Sequence, residues 1–511
     1  MRNYLLFLLL LISFSASAFV EPYQDHFICT LSSVVMVGTN GTRRFEVGMR
    51  EDNKMHFWTN LTIGTGTGAA SITSQSGLNP GDVVSITQGA YGTPSVWSNI
   101  VGAPNAHILF RCLNSDHSVF FTGGLNIYTM KFVDFVGFSF VGNGIDLRGP
   151  TSYISGSKTQ VSNLSFSKFY FKNITSACFN NYNNVVCDFT GDTTLYAGYK
   201  MKYDSMTMDF CTTFKQGSFG TAGNGIDFWL YDSVTRCLFN DVNGGGNLMP
   251  MTSFEAYIAY WTVYQVTPQG YQYDKGIVTG GGGGNGFNGT IHDFYIYGKV
   301  AVWGGRINAY RFLNNASDRV VIYNFVLWRK ATFGGWVIQS RTADFISGKL
   351  SSCSFWVSAG FLGDCPTLNT FWNPVVDVGC CFTTASDTAH IFDVFGFDNA
   401  FTGKTPVAIL DESGGGTNQR PTWDTSHNRY GPSATFFMID SSGTHPTGKP
   451  LAGSPLIGAG IAVRAGYGGT TDLVGVAWAT TRSIGPYEYV SGIIPPPCQC
   501  SPVPSKYTIS R

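Results

Sequence analysis

Apolar residues alternating with small or polar ones recur along this chain, and the runs share one signature. A β-branched or aromatic residue is followed within two positions by Asp or Asn, and the alternation then begins. The signature appears at Val133-Asp134-Phe135-Val136-Gly137-Phe138 and at Val161-Ser162-Asn163-Leu164-Ser165-Phe166. Tyr203-Asp204-Ser205-Met206-Thr207 and Tyr231-Asp232-Ser233-Val234-Thr235 are nearly copies of each other. Ile291-His292-Asp293-Phe294-Tyr295-Ile296 and Tyr323-Asn324-Phe325-Val326-Leu327 continue the series. The Asx residues are 29, 41, 28, 61 and 31 positions apart. Most are one step of about thirty residues, within the range of repeat architectures; 61 is two such steps, and 41 is one step with an insertion. Alternation of period two means strands, so the repeat predicts a stacked solenoid of short strands. Equivalent residues of successive coils then align about 4.8 Å apart. The expected result is an Asx column along one corner, hydrogen-bonded to neighbouring backbone, with inward aromatic and β-branched side chains stacked beside it. Gly-Asn-Gly-Ile-Asp at 142–146 and 223–227 fits a corner followed by a new strand.

The repetitive region runs from about Gly81 to Asp440. Before it, residues 19–63 read as mixed strand and loop, Gly64 to Gly68 as a flexible bridge, and Ser71 to Leu78 as a short capping helix. Residues 411–450 are rich in Gly, Ser, Thr and Pro and read as long loops. Arg2, the apolar run Leu5 to Ile12 and Ala16-Ser17-Ala18 match a secretory signal cleaved before Phe19. The expected division is a signal at 1–18, an irregular N-terminal segment and cap at 19–78, a strand-solenoid domain whose bounds, 79–490, are set by the family resemblance described below, and a Pro/Cys-containing tail at 491–511. No apolar run reaches transmembrane length, so a secreted, extracellular protein is expected.

Composition narrows the classes. Among 511 residues the formal net charge is zero, and charged residues are 13%. A nucleic-acid partner would call for a basic surplus. Aromatic residues at 15% and apolar residues at 43% exclude a disordered chain. The twelve cysteines have no CxxC spacing for zinc. They are read either as disulfides, such as Cys178–Cys187 or Cys353–Cys365, or as free thiols buried in the solenoid. Six N-x-Ser/Thr sequons begin at Asn40, Asn60, Asn163, Asn173, Asn288 and Asn315 and would carry glycan only in a glycosylating host.

Two segments resemble secreted right-handed parallel β-helix proteins of the pectin-lyase-like superfamily. Asn79-Pro80-Gly81-Asp82-Val83, Gly89-Ala90-Tyr91-Gly92 and Val136-Gly137-Phe138-Ser139-Phe140 are similar to their opening coils. Ala452-Gly453-Ser454-Pro455-Leu456-Ile457-Gly458-Ala459-Gly460, then Asp472, Gly475 and Ile484-Gly485-Pro486-Tyr487-Glu488-Tyr489, are similar to their closing segment. Ser483 stands where Asp is usual there, and Pro486 replaces Ala. The resemblance implies an all-β, right-handed parallel β-helix with long loops. It does not choose among lyases, glycoside hydrolases, esterases and adhesion proteins.

The side chains offer three chemistries. Hydrolysis needs paired carboxylates, and Asp204, Asp209, Asp227 and Asp232 fall in neighbouring coils, although Asp204 and Asp232 also serve the turn series. β-Elimination of a uronate polymer needs a cation for the carboxylate and a base for the C5 proton. Lys299 and Lys330 each lie six residues beyond a series Asx, Asp293 and Asn324. With Arg329 they are the expected catalytic group, and Arg306, Arg311, Trp303 and Trp328 the expected substrate-binding residues. Sugar stacking needs outward rings; Trp229, Trp261, Trp303, Trp328 and Trp336 recur along the chain, and Tyr257, Tyr260, Tyr264, Tyr271 and Tyr273 crowd one region. His292 is read as an outward surface residue before a turn. No metal-ligand set is visible; the cofactor stays unknown, with calcium on scattered aspartates left open. The favoured expectation is recognition of an extracellular polysaccharide with lyase-type cleavage, ahead of a non-catalytic adhesion protein and then a glycoside hydrolase.

Overall fold

The computed structural model describes residues 27–38, 41–50, 55–72, 78–148, 161–181, 198–211, 213–217, 229–230, 233–240, 253–265, 287–298, 306–308, 319–329, 338–341, 354–362, 376–378, 388–392, 395–397, 422–424, 427, 429–431, 438–439, 449–461 and 469–491. One parallel ladder organises them. From Val84 its register runs through Phe110, Phe135, Phe166, Tyr203, Val234, Ile258, Ile291, Ile322, Val357 and Ile391, one strand per coil. Beyond this first sheet the chain turns into a second, where Ser139–Val141, Tyr170–Lys172, Thr207–Asp209 and Leu238–Asn240 pair in parallel. A third contains Ile145–Arg148, Ala177–Asn181 and Thr213–Gly217. The chain is therefore a parallel β-helix. Parallel neighbours cannot be joined by a hairpin; winding through two other sheets supplies the crossover, and such crossovers are right-handed in nearly all proteins.

The coil step is uneven, 24 residues from Val234 to Ile258 and 37 from Phe166 to Tyr203. Insertions fall between sheets, while register within each sheet is held by the alternation of buried and outward side chains. The inward column is a stack of rings. Phe135 lies 4.9 Å from Phe166 at 7°, Phe166 5.6 Å from Tyr203 at 12°, and Trp97 covers Phe110 and Phe135. Further along, Trp261, Phe294 and Phe325 stack at 4.7 and 5.3 Å. Cys112, Cys178, Cys211 and Cys237 are free thiols buried in the same interior, so the Cys178–Cys187 bridge is not formed.

The Asx residues do not form the single column expected from the sequence. Asp134 lies within a strand and pairs with Ser165. Asn163 occupies an earlier corner. Asp204 sits one residue before a corner, and Asp232 is outside the described residues. Only Asp293 and Asn324 align, between the pairs His292–Tyr323 and Phe294–Phe325. The near-identical Tyr-Asp-Ser runs misled the phase: Lys202 faces Ser233 and Asp204 faces Thr235, three residues out of step with the likeness. Core burial sets register, not local sequence similarity.

The true corner column follows the first sheet. Gly137, Lys168, Ser205, Arg236, Tyr260, Asp293 and Asn324 all have left-handed backbone, with φ from 50° at Asp293 and Asn324 to 80° at Gly137. The conformation turns each N–H along the solenoid axis. Gly137, Lys168, Ser205 and Arg236 donate to Ser167, Asp204, Thr235 and Ala259 of the following coil.

At the N-terminal end Phe27–Gly38, Gly41–Arg50 and Met55–Ile63 form an antiparallel meander whose last strand joins Val83–Ile86 in parallel. It covers an edge that would otherwise offer open hydrogen-bonding groups. Ser71 and Ile72 are extended, with Ile72 bridged to Trp97, so the capping helix expected from Ser71 does not begin there. Asn60, the start of one sequon, is buried and accepts a hydrogen bond from Ser85, whereas Asn173 is exposed at a corner.

The closing segment, 449–491, docks on the flank of the solenoid. Asp472 gathers the N–H groups of Val474, Val476 and Glu488 at 3.0, 2.7 and 3.0 Å. Ser483, at the position where Asp is usual, bonds Glu488 Oε1 instead. Tyr487 donates to Tyr295, and Asn324 donates to the Thr471 carbonyl.

Candidate functional site

Outward positions of the first sheet carry polar groups in rows. One row reads Asp204, Thr235, Ala259, His292, Tyr323. Two residues earlier in each strand the row is Lys202, Ser233, Tyr257, Thr290. The corner column flanks both.

Two clusters result. In the first, Arg236 grips Asp204 with two nitrogens, Nε at 2.8 Å and Nη2, while Thr235 and Ser205 donate to the same carboxylate. This two-point geometry is specific to arginine, and it leaves the Arg236 side chain 53% exposed. In the second, His292 Nδ1 meets Asp293 Oδ2 at 2.6 Å, and Asn324 Nδ2 donates to Asp293 Oδ1 at 3.0 Å. The imidazole stacks on Tyr323, 4.7 Å away at 5°, and the rings of Tyr257 and Tyr260 approach edge-on at 5.0 and 5.5 Å. Tyr257 and Tyr260 are 41% and 50% exposed, but His292 beneath them only 4%. Its Nε2 is buried without a hydrogen-bond partner among the described residues. A Cβ added to Gly469 would meet Tyr323 at 3.1 Å, so the closing segment forms a wall against that ring.

Burial pushes the phenols of Tyr257, Tyr260 and Tyr323 upward, and the Asp293 charge adds to the shift. The tyrosines therefore stay protonated and present O–H groups. Elsewhere Asp134, bonded to His107 at 3.0 Å, is raised by burial, with His107 and Lys202 opposing.

The carboxylates weighed for hydrolysis are engaged otherwise. Asp204 lies on the first sheet and Asp209 on the second. Asp209 is held by Tyr170 and Asn240, each at 2.7 Å. Both tie one coil to the next; Asp227 and Asp232 lie outside the described residues. Among the described residues no group of three or more His, Cys, Asp or Glu is placed to hold a metal ion.

The expected lyase set is only partly visible. Lys299, Lys330, Arg311 and Trp303 lie outside the described residues. Gly298 pairs with Arg329 and Tyr297 with Trp328 at the far end of the second sheet, immediately before the two lysine positions. Arg306 belongs to a separate parallel ladder, paired with Gln339. The structure thus spreads Trp328, Arg329 and Arg306 over two sheets. Sequence reasoning missed Arg236 and Tyr323 and placed His292 correctly as outward but not as covered. The crowding of Tyr257 and Tyr260 was the available signal.

The fold and this face define a parallel β-helix protein with an aromatic and charged outer surface. No family model matches the sequence, and no curated protein matches it. Among solved structures it is similar to a PL6 family polysaccharide lyase from Pseudopedobacter saltans, at 13% identity and TM-score 0.38, over 75% of this chain and 97% of that one. The PL6 family alginate lyase AlyGC is similar at 11% identity and TM-score 0.37, over 70% of this chain and 53% of that one. The family 28 exopolygalacturonase of Yersinia enterocolitica is similar at 9% identity and TM-score 0.28, over 76% of this chain and 83% of that one. Likeness of this degree concerns the course of the chain and assigns no reaction to its residues. No helix among the described residues is long and apolar enough to cross a membrane.

Proposed function

We propose that the protein is a secreted β-helix protein that binds an acidic polysaccharide along the outward face of its first sheet. The observation that carries this is the exposed pair Tyr257 and Tyr260 beside the corner residue Arg236, whose side chain is half exposed while it holds Asp204. Tyrosine rings offer a flat apolar face with a polar edge, which suits a sugar ring. A guanidinium suits a carboxylate or sulfate. Tyr260 stands in the corner column, with the left-handed φ, 55° here, that the column shares. Lys299, Lys330 and Arg329 as catalytic groups, with Arg306, Arg311, Trp303 and Trp328 as substrate-binding groups, remain proposals from the sequence. β-Elimination of a uronate is the reaction this chemistry fits; the competing class is a non-catalytic adhesion rod.

The test is binding of polygalacturonate, polymannuronate and a sulfated glycan, with absorbance of unsaturated products followed in parallel. Replacing Tyr257 or Tyr260 by Ala is expected to weaken binding about five-fold each, the equivalent of about 1 kcal/mol. Replacing both Lys299 and Lys330 is expected to weaken it further. Absence of binding to all three polymers, or binding indifferent to both tyrosines, refutes the reading.

A further inference from the structure

We propose that His292 is the acid–base group of this face, oriented by Asp293 and covered by Tyr257 and Tyr260 until substrate binds. The assignment rests on the acidic-polysaccharide reading above and adds a reaction and a residue to it.

The geometry orders the groups in a chain. The Thr471 carbonyl and Asp293 Oδ1 both accept from the Asn324 amide, at 2.9 and 3.0 Å, which fixes the Asn324 side chain and steadies the Asp293 carboxylate. Asp293 Oδ2 lies 2.6 Å from His292 Nδ1. A carboxylate accepts and does not donate, so in the neutral imidazole the ring proton sits on Nδ1 and Nε2 keeps a lone pair. Nε2 is buried with no partner among the described residues. A polar atom left in that state is destabilising, and orphaned buried acceptors in native proteins call for a reason. A ligand group arriving at Nε2 supplies one. Tyr323 backs the imidazole at 4.7 Å, and the two rings in front of it are the partly exposed ones. Rotation of Tyr257 and Tyr260 opens the nitrogen to the solvent face without disturbing the core stack of Trp261 and Phe294.

The step balances as follows. His292 Nε2 takes the proton from C5 of a bound uronate. The C5–H electron pair becomes the C4=C5 double bond, and the C4–O bond to the departing sugar breaks. The departing oxygen takes a proton from water, and the imidazolium returns its own proton to solvent. No oxidant, reductant or cofactor enters.

Two variants test the assignment with polygalacturonate and polymannuronate. His292→Gln removes the base. Asp293→Asn keeps shape and tolerates the left-handed corner, but its amide donates to Nδ1, moving the ring proton to Nε2. The expected result is that both variants bind polymer with affinity within about two-fold of the parent and form unsaturated product at least about 100-fold more slowly. The Asp293→Asn variant should show the loss in kcat with KM unchanged. Diethyl pyrocarbonate, mapped by mass spectrometry, should modify His292 slowly in the parent and faster in Tyr260→Ala. Product formation by either variant within a few-fold of the parent overturns the assignment. So does a parent that binds polymer without ever forming unsaturated product; the binding proposal then stands. A parent that binds no polymer overturns both.

Discussion

Phe166→Ala is the sharpest perturbation of the solenoid itself. Phe166 is fully buried. It lies between Phe135 at 4.9 Å and Tyr203 at 5.6 Å, both within 12° of parallel, and meets Phe169 and Phe179 edge-on at 5.8 and 5.0 Å. Truncating a buried Phe costs about 3–5 kcal/mol. Two features of this site point to the upper part of that range. The stacked neighbours belong to adjacent coils, whose spacing is fixed at about 4.8 Å by the strand ladder, so the void cannot collapse along the axis. Each ring pair lost adds about 0.5–1.5 kcal/mol beyond area burial. The expected loss is about 4–5 kcal/mol, read as a fall in denaturation midpoint at constant slope. Phe210→Ala is the control: that ring is 55% exposed, and surface changes stay within about 0.5 kcal/mol. Coupling gives a second readout. Phe135→Ala combined with Phe166→Ala should be strongly non-additive, since the two share one void. Phe294→Ala, four coils or about 19 Å away, should add independently. A loss below about 1 kcal/mol for Phe166→Ala, or additivity with Phe135→Ala, would sink the axial-stack account.

Two further expectations follow from charge. Asp134 has its folded pKa raised by burial above the ordinary 3.8, so its contribution favours folding below that value and is lost as pH rises through the raised pKa. Asp134→Asn should therefore gain stability relative to the parent as pH climbs from below 3.8 to neutral; a difference constant with pH, or falling, contradicts it. Asp472→Ala strips three backbone N–H groups of their acceptor and should cost about 3 kcal/mol, with new protease cleavage inside 449–491 before the coils open; an unchanged cleavage pattern counts against it.

How much of this was legible beforehand depends on where each property lives. The winding was legible because inward alternation and aromatic density are carried by each strand on its own. Register was not: the likeness of Tyr203-Asp204-Ser205 to Tyr231-Asp232-Ser233 is local, while pairing is decided by which residues fit a core shared with the next coil. The offset of Lys299 from Asp293 and of Lys330 from Asn324 starts from the one Asx pair that does align. Burial of His292 was invisible for a related reason. Its cover comes from Tyr257 and Tyr260 of the preceding coil, and its ordering from Thr471, so no window of sequence contains the site.

The site exists because the solenoid's regularity is broken at one outward position. Along the row Asp204, Thr235, Ala259, His292, Tyr323, Thr235 bonds Asp204 and Tyr323 stacks on His292. Ala259, directly paired with His292, has no reach. It is nonetheless fully buried, and Tyr257 and Tyr260 of its own strand place their rings edge-on to the imidazole one coil on. A long residue at 259 would occupy the space those rings use to approach the imidazole, and with it the approach to Nε2. Small size at 259, a ring at the corner position 260 and an orphaned nitrogen at 292 are thus one feature seen from three residues. The first makes room, the second aims a ring into it, and the third is the chemistry the room protects.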